Sequence, residues 1–235
     1  MQSPFANLPP VVKNLLIINI ICFLPVLFWG NIVIEKLGIY YFDSPLFRPW
    51  QLVSYMFLHG GWAHIIFNMF ALYSFGTAIE YIMGSKRFFN FYFICGFGAI
   101  ALQMLVQAIE VHGVTDSITL AQPQLDASYL QYGQEAAAKL YGIYHGPMVG
   151  ASGAIFGLLI AFGMIYPNAE LMIMFIPVPV KAKYIIPVYV LLELSLGVAQ
   201  FSGDSVAHFA HLGGGILGFI LVKAWHLQGP KDLYS

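Results

Sequence analysis

The stretch that decides the fold runs from Pro147 to Pro167 and reads PMVGASGAIFGLLIAFGMIYP. It contains no Asp, Glu, Lys or Arg, and its length matches the roughly 20 apolar residues that a helix needs to cross a bilayer. Such a run predicts a membrane helix. Near its beginning, Ser152 stands among small residues in the sequence Gly150-Ala-Ser152-Gly153.

The chain as a whole has the composition of a membrane protein. Hydrophobic residues make up 59% and charged residues 9%, with a mean hydropathy of +0.76, which excludes a soluble globule of this length. We predict an all-α bundle of six membrane helices, forming a single domain over residues 1–235. The predicted helices cover approximately residues 14–34, 62–84, 87–108, 147–167, 183–200 and 205–226.

The charged residues indicate partners and orientation. Ten Lys and Arg against eleven Asp and Glu give a net charge of −1, so the chain lacks the basic surface that nucleic acid requires. A cytoplasmic N-terminus places seven of the ten basic residues inside, which predicts that both termini are cytoplasmic. Glu80, near the inner end of the second helix, is interpreted as a structural anchor. The seven basic residues are Lys13, Lys86, Arg87, Lys181, Lys183, Lys223 and Lys231.

Four polar side chains are predicted at similar depth in the membrane. His64 and Asn68 lie near the start of the second helix, Ser152 near that of the fourth, and His211 near that of the sixth. Even-numbered helices run in the same direction, so these residues lie roughly 10 Å below the outer surface at 1.5 Å per residue. Because polar groups are costly inside a membrane, four of them together indicate a functional site.

The residue types at this depth predict a serine hydrolase. A serine hydroxyl needs a neighbouring base to act as a nucleophile, and Ser152 and His211 fit these two roles. His64 and Asn68, four residues apart on one helical face, fit an oxyanion hole together with the Ser152 backbone N–H. The one mid-span acid, Glu193 on the fifth helix, has no evident partner, so we predict a Ser-His dyad and not a triad.

Glycine pairs predict that the fourth and sixth helices pack closely. Gly153 and Gly157 follow the serine, and Gly214 and Gly218 follow the histidine, with the same spacing in each pair. Small residues at this spacing let two membrane helices approach each other closely. The two pairs therefore predict one shared seam that brings the serine and the histidine within hydrogen-bonding distance.

Two other kinds of site fit the polar residues less well. Zinc accepts three imidazoles and a water, but no His-Glu-x-x-His pattern occurs and no acid accompanies the histidine pairs. A transporter usually has broken helices and internal symmetry, and neither is visible in the sequence. We therefore expect no metal and no cofactor. The histidines considered as zinc ligands are His59, His64, His145, His208 and His211.

The connecting segments differ in character. Residues 35–61 are rich in aromatic residues, which predicts a folded element at the lipid interface. Residues 109–146 are the most polar stretch, and Ala127 to Tyr144 within them predict an amphipathic helix. Residues 176–180, Ile-Pro-Val-Pro-Val, predict an extended turn because proline has no N–H to donate to a helix.

Taken together, the motifs resemble those of the rhomboid proteases. The resemblance covers all six predicted helices, and in detail residues 48–222. It implies an intramembrane serine protease with Ser152 as nucleophile, His211 as general base, and His64 and Asn68 as oxyanion stabilisers. The motifs are Trp50 through Phe57-Leu-His59-Gly-Gly-Trp-Ala-His64-Ile-Ile-Phe-Asn68, then Gly150-Ala-Ser152-Gly153, then Ala210-His211-Leu-Gly-Gly214 with Gly218.

The resemblance also implies supporting roles and a substrate. Gly150 is expected to keep room at the active-site turn, and Phe156 to stack under the His211 ring. His211 is a better candidate for the base than His208, because only His211 has glycines three and seven residues later. The expected substrate is a single-pass membrane protein, cut near the outer face beside a small residue. The fifth helix and the 200–205 loop would act as lateral gate and cap.

One alternative and two departures accompany the resemblance. A rhomboid-like protein that holds transmembrane clients without cleaving them is the alternative, which the intact Ser152 and His211 disfavour. Gln51 follows Trp50 where the family commonly has arginine, and the 109–146 loop is longer than the family minimum. The expected location is a bacterial inner membrane.

Overall fold

Helices make up most of the computed structural model, which describes residues 8–120, 129–172, 178–199 and 207–229. The predicted all-α class is confirmed, apart from one small two-stranded sheet. In chain order the elements are α1 (Pro10–Leu37), α2 (Gln51–Ser54), α3 (Trp62–Ala71), α4 (Thr77–Met83), α5 (Ser85–Thr115), α6 (Gln134–His145), α7 (Ser152–Ile165), β1 (Glu170–Met172), β2 (Pro179–Lys181), α8 (Ala182–Ala199) and α9 (His208–Ala224).

Four helical stretches in the described residues are long and apolar enough to cross a membrane. They are α1, the stretch Trp62–Met83, α5 and α8. In the stretch Trp62–Met83, a π-helical turn joins α3 to α4. The helices α7 and α9 are also apolar but shorter, with 14 and 17 residues. The chain is therefore a multi-pass integral membrane protein, and these six stretches are compatible with the six predicted spans.

The helix α7 begins later than predicted because the residues before it are held in an extended conformation. Met148 and Ile39 exchange two backbone hydrogen bonds of 2.8 and 2.9 Å. Gly150 has a φ of +132°, which other residues rarely adopt, and donates its N–H to the Tyr55 carbonyl at 2.9 Å. The helix can therefore start only after this turn, which places Ser152 at its N-terminal end.

Glycines bring the backbones of α7 and α9 into contact. A Cβ atom on Gly214 would collide with the carbonyl oxygen of Gly153, and one on Gly218 would lie 2.7 Å from the carbonyl oxygen of Gly157. On the other side of α9, a Cβ atom on Gly98 of α5 would lie 3.0 Å from a carbonyl oxygen of α9. The predicted close approach of the two glycine pairs is present, and it fixes α7 against α9 at the centre of the bundle.

Glu80 of α4 anchors the beginning of α1, as interpreted from the sequence. Its carboxylate accepts hydrogen bonds from the Val11 and Val12 backbone N–H groups at 3.0 and 2.7 Å. It also accepts one from the Ser85 hydroxyl at 2.7 Å. The first N–H groups of a helix have no partner within the helix and carry partial positive charge. A buried carboxylate therefore stabilises this helix end.

Gln51 anchors the segment that follows α1. Its buried side chain accepts a hydrogen bond from the Arg48 N–H at 2.9 Å and donates to the Leu46 and Lys36 carbonyls at 3.1 and 3.4 Å. The Trp50 indole also donates to the Lys36 carbonyl, at 3.1 Å. The neutral amide of Gln51 thus holds the segment at the position where the family that the sequence resembles commonly has arginine.

The α6 helix covers a second, smaller hydrophobic cluster beside α5. The Asp43 carboxylate fixes it, because it accepts hydrogen bonds from the Tyr144 hydroxyl and the Leu120 N–H, both at 2.8 Å. The predicted amphipathic helix is observed from Gln134 to His145, and Ala127, its predicted start, lies outside the described residues. The buried members of the cluster are Tyr41, Val111, Tyr129, Ala137, Leu140, Ile143 and Tyr144.

A short antiparallel hairpin connects α7 to α8. In it, β1 pairs with β2 so that Glu170 lies opposite Lys181 and Met172 opposite Pro179. The extended turn predicted for residues 176–180 is observed as a strand from Pro179, while residues 176 and 177 lie outside the described part of the chain.

Candidate active site

The four polar side chains expected to converge line one cavity of about 1430 Å³. Ser152 is the first residue of α7, His64 lies in the first turn of α3, and His211 lies in the first turn of α9. Helix beginnings therefore meet at this cavity, as their common direction requires. The polar residues that line it include His64, Asn68, Ser152, Glu193, His208 and His211.

The Ser152 hydroxyl and the His211 imidazole are hydrogen-bonded to each other. The distance from Ser152 Oγ to His211 Nε2 is 2.8 Å, and the His211 side chain is 13% exposed. This separation suits proton transfer from a nucleophile to a base. The glycine contacts between α7 and α9 hold the two side chains at this distance.

The ring of Phe156 stacks on the ring of His211. The ring centroids are 5.7 Å apart and the planes are inclined by only 10°. Phe156 lies one turn after Ser152 on α7, and the centroid of its ring is also 5.4 Å from that of Tyr189 on α8. An aromatic surface under the imidazole restricts the directions in which that ring can turn.

Glu193 has His208 and His211 among its partners, so the expectation that it has none was wrong. Its Oε2 atom lies 3.0 Å from His211 Nδ1 and 2.6 Å from His208 Nδ1. The side chain is buried, with a relative exposure of 4%. The reason for predicting a dyad and not a triad is therefore removed.

Sequence reasoning missed these contacts because it could not tell which face of α8 points into the bundle. Hydrophobic residues occur all around this helix, so the stripe that is buried is not visible as a pattern. The one available signal was the acid itself, because a carboxylate inside a membrane helix requires a donor. The buried residues of α8 are Ala182, Ile186, Glu193 and Gly197.

His64 and Asn68 are oriented differently from each other. The Gly60 N–H donates to His64 Nδ1 at 3.4 Å, which leaves Nε2 of His64 as the protonated nitrogen. The Asn68 amide donates one of its two hydrogens to the His64 carbonyl at 2.8 Å, and its buried Oδ1 has no hydrogen-bond partner among the described residues. The second hydrogen of the Asn68 amide does not take part in this hydrogen bond.

Gly150 leaves open the space between His64 and Ser152. A Cβ atom on Gly150 would lie 2.8 Å from His64 Nε2 and 3.4 Å from Ser152 Oγ. Because glycine has no such atom, a small group bound to the serine oxygen has room beside the His64 ring. This is where an oxyanion would form after attack by the serine.

The five histidines considered as zinc ligands do not form one cluster. The rings of His59 and His64 are 5.0 Å apart, and His145 stacks on a tyrosine of α6. Burial, followed by the nearby His64, lowers the pKa of His59 to about 3, so its ring is neutral near pH 7. In the part of the chain that the structure describes, the only group of three metal-type ligands within 4.8 Å of one another is Glu193, His208 and His211.

Comparisons with known proteins give a consistent result. The model of the Rhomboid domain matches residues 47–227. Rhomboid protein 1, mitochondrial, of Saccharomyces cerevisiae is 30% identical over 180 residues, which cover 76% of this chain and 42% of that protein. Rhomboid protease GluP of Bacillus subtilis is 31% identical over 182 residues, which cover 77% of this chain and 27% of that protein. RHOMBOID-like protein 4 of Arabidopsis thaliana is 29% identical over 172 residues, which cover 73% of this chain and 33% of that protein.

The matches cover most of this chain but only part of each relative. This chain spans less than half the length of each of the three relatives. The matched residues 47–227 nevertheless make up most of the chain and include every polar residue that lines the cavity. The chain therefore belongs to the rhomboid family.

Proposed function

We propose that this chain is an intramembrane serine endopeptidase that cleaves transmembrane segments of membrane proteins. The observation that supports it most strongly is the 2.8 Å hydrogen bond between Ser152 Oγ and His211 Nε2, inside a bundle of membrane helices. One relative, GluP of Bacillus subtilis, is named a rhomboid protease. In this proposal Ser152 is the nucleophile and His211 is the general base.

The reaction would follow the usual two steps of serine hydrolases. Ser152 Oγ attacks the carbonyl carbon of the peptide bond while His211 Nε2 takes the hydroxyl proton. His211 then gives this proton to the leaving nitrogen, the C–N bond breaks, and an ester to Ser152 remains. Water that enters the cavity gives a proton to His211 Nε2 while its oxygen attacks the ester carbon. The bond from this carbon to Ser152 Oγ then breaks, and His211 returns the proton to Oγ, which restores the serine.

Three donors are placed to stabilise the oxyanion. The backbone N–H of Ser152 lies at the beginning of α7, where the first N–H groups have no partner within the helix. The Nε2–H of His64 borders the space that Gly150 leaves open. The second hydrogen of the Asn68 amide completes the set. Such preorganised donors contribute most where water is excluded.

In this proposal a substrate helix enters the cavity between α3 and α8. The cavity extends between these helices, and its lining there is apolar. Phe67 and Phe70 of α3 and Val188 and Leu192 of α8 line it and are each at least half exposed. These side chains would contact lipid or a substrate helix. The 200–205 loop, expected to act as a cap, lies outside the described residues.

The basic residues and the relatives bear on the orientation and the location of the protein. The bias of basic residues supports cytoplasmic termini, which places the active site near the outer face of the membrane. The relatives include proteins named mitochondrial and a bacterial protease, so the bacterial inner membrane stays a prediction. The proposed chemistry needs the lipid bilayer and a transmembrane substrate, and no cofactor.

The proposal is tested by cleavage of a transmembrane reporter by the purified protein in liposomes. Ser152→Ala and His211→Ala are expected to abolish cleavage and also the labelling of the serine by a fluorophosphonate. The matched controls are Ser195→Ala on the exposed part of α8 and His112→Ala at the exposed end of α5, which should retain both activities. Thermal unfolding verifies that every variant is folded.

Two outcomes would contradict the proposal. Cleavage that survives Ser152→Ala but is lost with a chelator would indicate a metal mechanism. Reporter binding without cleavage or labelling, by a folded wild type, would indicate a protein that holds transmembrane clients.

A further inference from the structure

The carboxylate of Glu193 lies behind the proposed catalytic histidine, on the side away from the serine. Its Oε2 atom is 3.0 Å from His211 Nδ1, and the opposite ring nitrogen of His211 is 2.8 Å from Ser152 Oγ. We infer that Glu193 is a positioning residue, so that the site operates as a Ser152–His211–Glu193 triad. This inference rests on the proposed function and extends it.

The carboxylate fixes which nitrogen of His211 carries the proton. An ionised carboxylate can only accept hydrogen bonds, so the proton of neutral His211 lies on Nδ1. Nε2 then has a free lone pair directed at the Ser152 hydroxyl, which is the form that a general base requires. Without a partner at Nδ1, the two tautomers of an imidazole are close in energy, and one of them cannot accept the serine proton.

The carboxylate also stabilises the charge that forms during the reaction. The serine proton moves to His211 Nε2, and the ring becomes an imidazolium while Glu193 remains ionised. The positive ring then lies in hydrogen-bonding contact with a negative group in a water-poor site, where such attraction is strong. The proton later passes from Nε2 to the leaving nitrogen, so Glu193 itself neither gains nor loses one.

His208 holds the carboxylate in place. Its Nδ1 donates to the same Oε2 atom at 2.6 Å, and its side chain is 8% exposed. The ring of His208 is nearly perpendicular to that of His211, with an interplanar angle of 88°. The two rings therefore approach one oxygen from different directions. This second bond limits the rotation of Glu193 and offsets part of the cost of burying its charge.

The distances in this cluster are those of hydrogen bonds. In zinc sites the metal lies about 2.0 to 2.2 Å from each nitrogen or oxygen ligand, with the ligands in a tetrahedral arrangement. Two such ligands are therefore more than 3 Å apart, whereas the nitrogen–oxygen separations here are 2.6 and 3.0 Å. In addition, His211 Nε2 already contacts the serine. The geometry points to proton chemistry.

The first test is Glu193→Gln, which keeps the size of the side chain and removes its charge. We expect kcat for the reporter to fall about 10² to 10⁴-fold, as for the loss of the acid in other triads, with KM nearly unchanged. The rate of fluorophosphonate labelling of Ser152 should fall in parallel, because labelling requires the same base. Glu193→Asp should recover part of both rates. Glu135→Gln, at an exposed position on α6, is the matched control and should match the wild type.

The second test needs no substrate and no change at Glu193. The ¹⁵N resonances of the histidine rings in the wild type, assigned through the signals lost in His211→Asn, report the tautomer directly. We expect His211 to carry its proton on Nδ1 and to have an unprotonated Nε2. In Glu193→Gln the two tautomers should become mixed. A purely structural role for Glu193 would leave this spectrum unchanged.

The outcomes separate this inference from the proposed function. Wild-type His211 protonated on Nε2 would overturn the inference, even if Glu193→Gln does not fold. A wild-type kcat and labelling rate in folded Glu193→Gln would overturn it as well. If the wild type neither cleaves nor labels but His211 has the expected tautomer, the proposed protease function fails while the positioning by Glu193 stands.

Discussion

Two buried glutamates, Glu80 and Glu193, differ in what donates to them. Glu80 is 2% exposed and accepts from two backbone N–H groups and a serine hydroxyl, none of which titrates near neutral pH. Glu193 is 4% exposed and accepts from two imidazoles, one of which is bonded to Ser152. Burial of an acid in a membrane bundle therefore does not by itself indicate catalysis. The chemistry of the donors distinguishes a structural anchor, such as Glu80, from a carboxylate that is inferred to position a catalytic histidine, such as Glu193.

At the cavity that Glu193 lines, a large effect is expected for Gly150→Ala. The added methyl group would fill the space between His64 Nε2 and Ser152 Oγ, at a φ of +132° that alanine rarely adopts. We expect kcat to fall about 10³-fold, as for the loss of an oxyanion donor. Reporter cleavage and thermal unfolding measure this. Gly113→Ala, where an added Cβ has no described atom within 4 Å, is the control. Normal cleavage by Gly150→Ala would show that this space is not used.

The opposite behaviour is expected at Glu80. Glu80→Gln removes the charge that accepts the hydrogen bonds at the beginning of α1 and places an amide N–H₂ against their donors. We expect the free energy of unfolding to fall by about 3 kcal/mol, with kcat of the folded protein nearly unchanged. Unfolding in mixed micelles, compared with the exposed control Glu135→Gln, gives the first quantity. A large loss of kcat without a loss of stability would remove the contrast between the two glutamates.

A smaller loss of stability is expected for Gln51→Ala, in the segment after α1. The substitution leaves the Arg48 N–H and the Leu46 carbonyl without their side-chain partner. We expect a cost of about 1 to 3 kcal/mol in the free energy of unfolding. The same unfolding measurement applies, with the exposed Gln131→Ala as control. An unchanged stability would mean that the amide does not anchor the segment.

The smallest effect is expected for Tyr144→Phe, in the cluster under α6. It removes one hydrogen bond to the Asp43 carboxylate and keeps the aromatic packing. A loss of about 1 kcal/mol in stability is expected, and cleavage should be unaffected. The control is Tyr141→Phe, at a residue that is 49% exposed. Loss of cleavage in Tyr144→Phe alone would connect this cluster to the active site.

Much of the fold could be predicted because apolar runs and glycine spacing are local signals. The run that contains Ser152 predicts a membrane helix, and the glycines after Ser152 and His211 predict the close packing of α7 and α9 that is observed. The common direction of alternate helices then predicts that the polar residues share one depth. They line one cavity, as this argument requires.

The remaining features depend on long-range geometry. The start of α7 is set by the φ of Gly150 and by its hydrogen bond to Tyr55, almost a hundred residues earlier in the chain. The partners of Glu193 depend on the rotation of α8 about its own axis, which a uniformly apolar sequence does not reveal. The role of Gln51 is of the same kind, because its acceptors are the Lys36 carbonyl at the end of α1 and the Leu46 carbonyl of the following segment.

The contact between Glu80 and the beginning of α1 also constrains how the protein is made. The acceptor is 68 to 69 residues downstream of the N–H groups that it serves. At about 5 to 20 residues per second, the ribosome delivers Glu80 roughly 3 to 14 seconds after Val11 and Val12. During that interval those N–H groups need water as their partner. The N-terminal end of α1 therefore gains its carboxylate partner only after α4 has been synthesised.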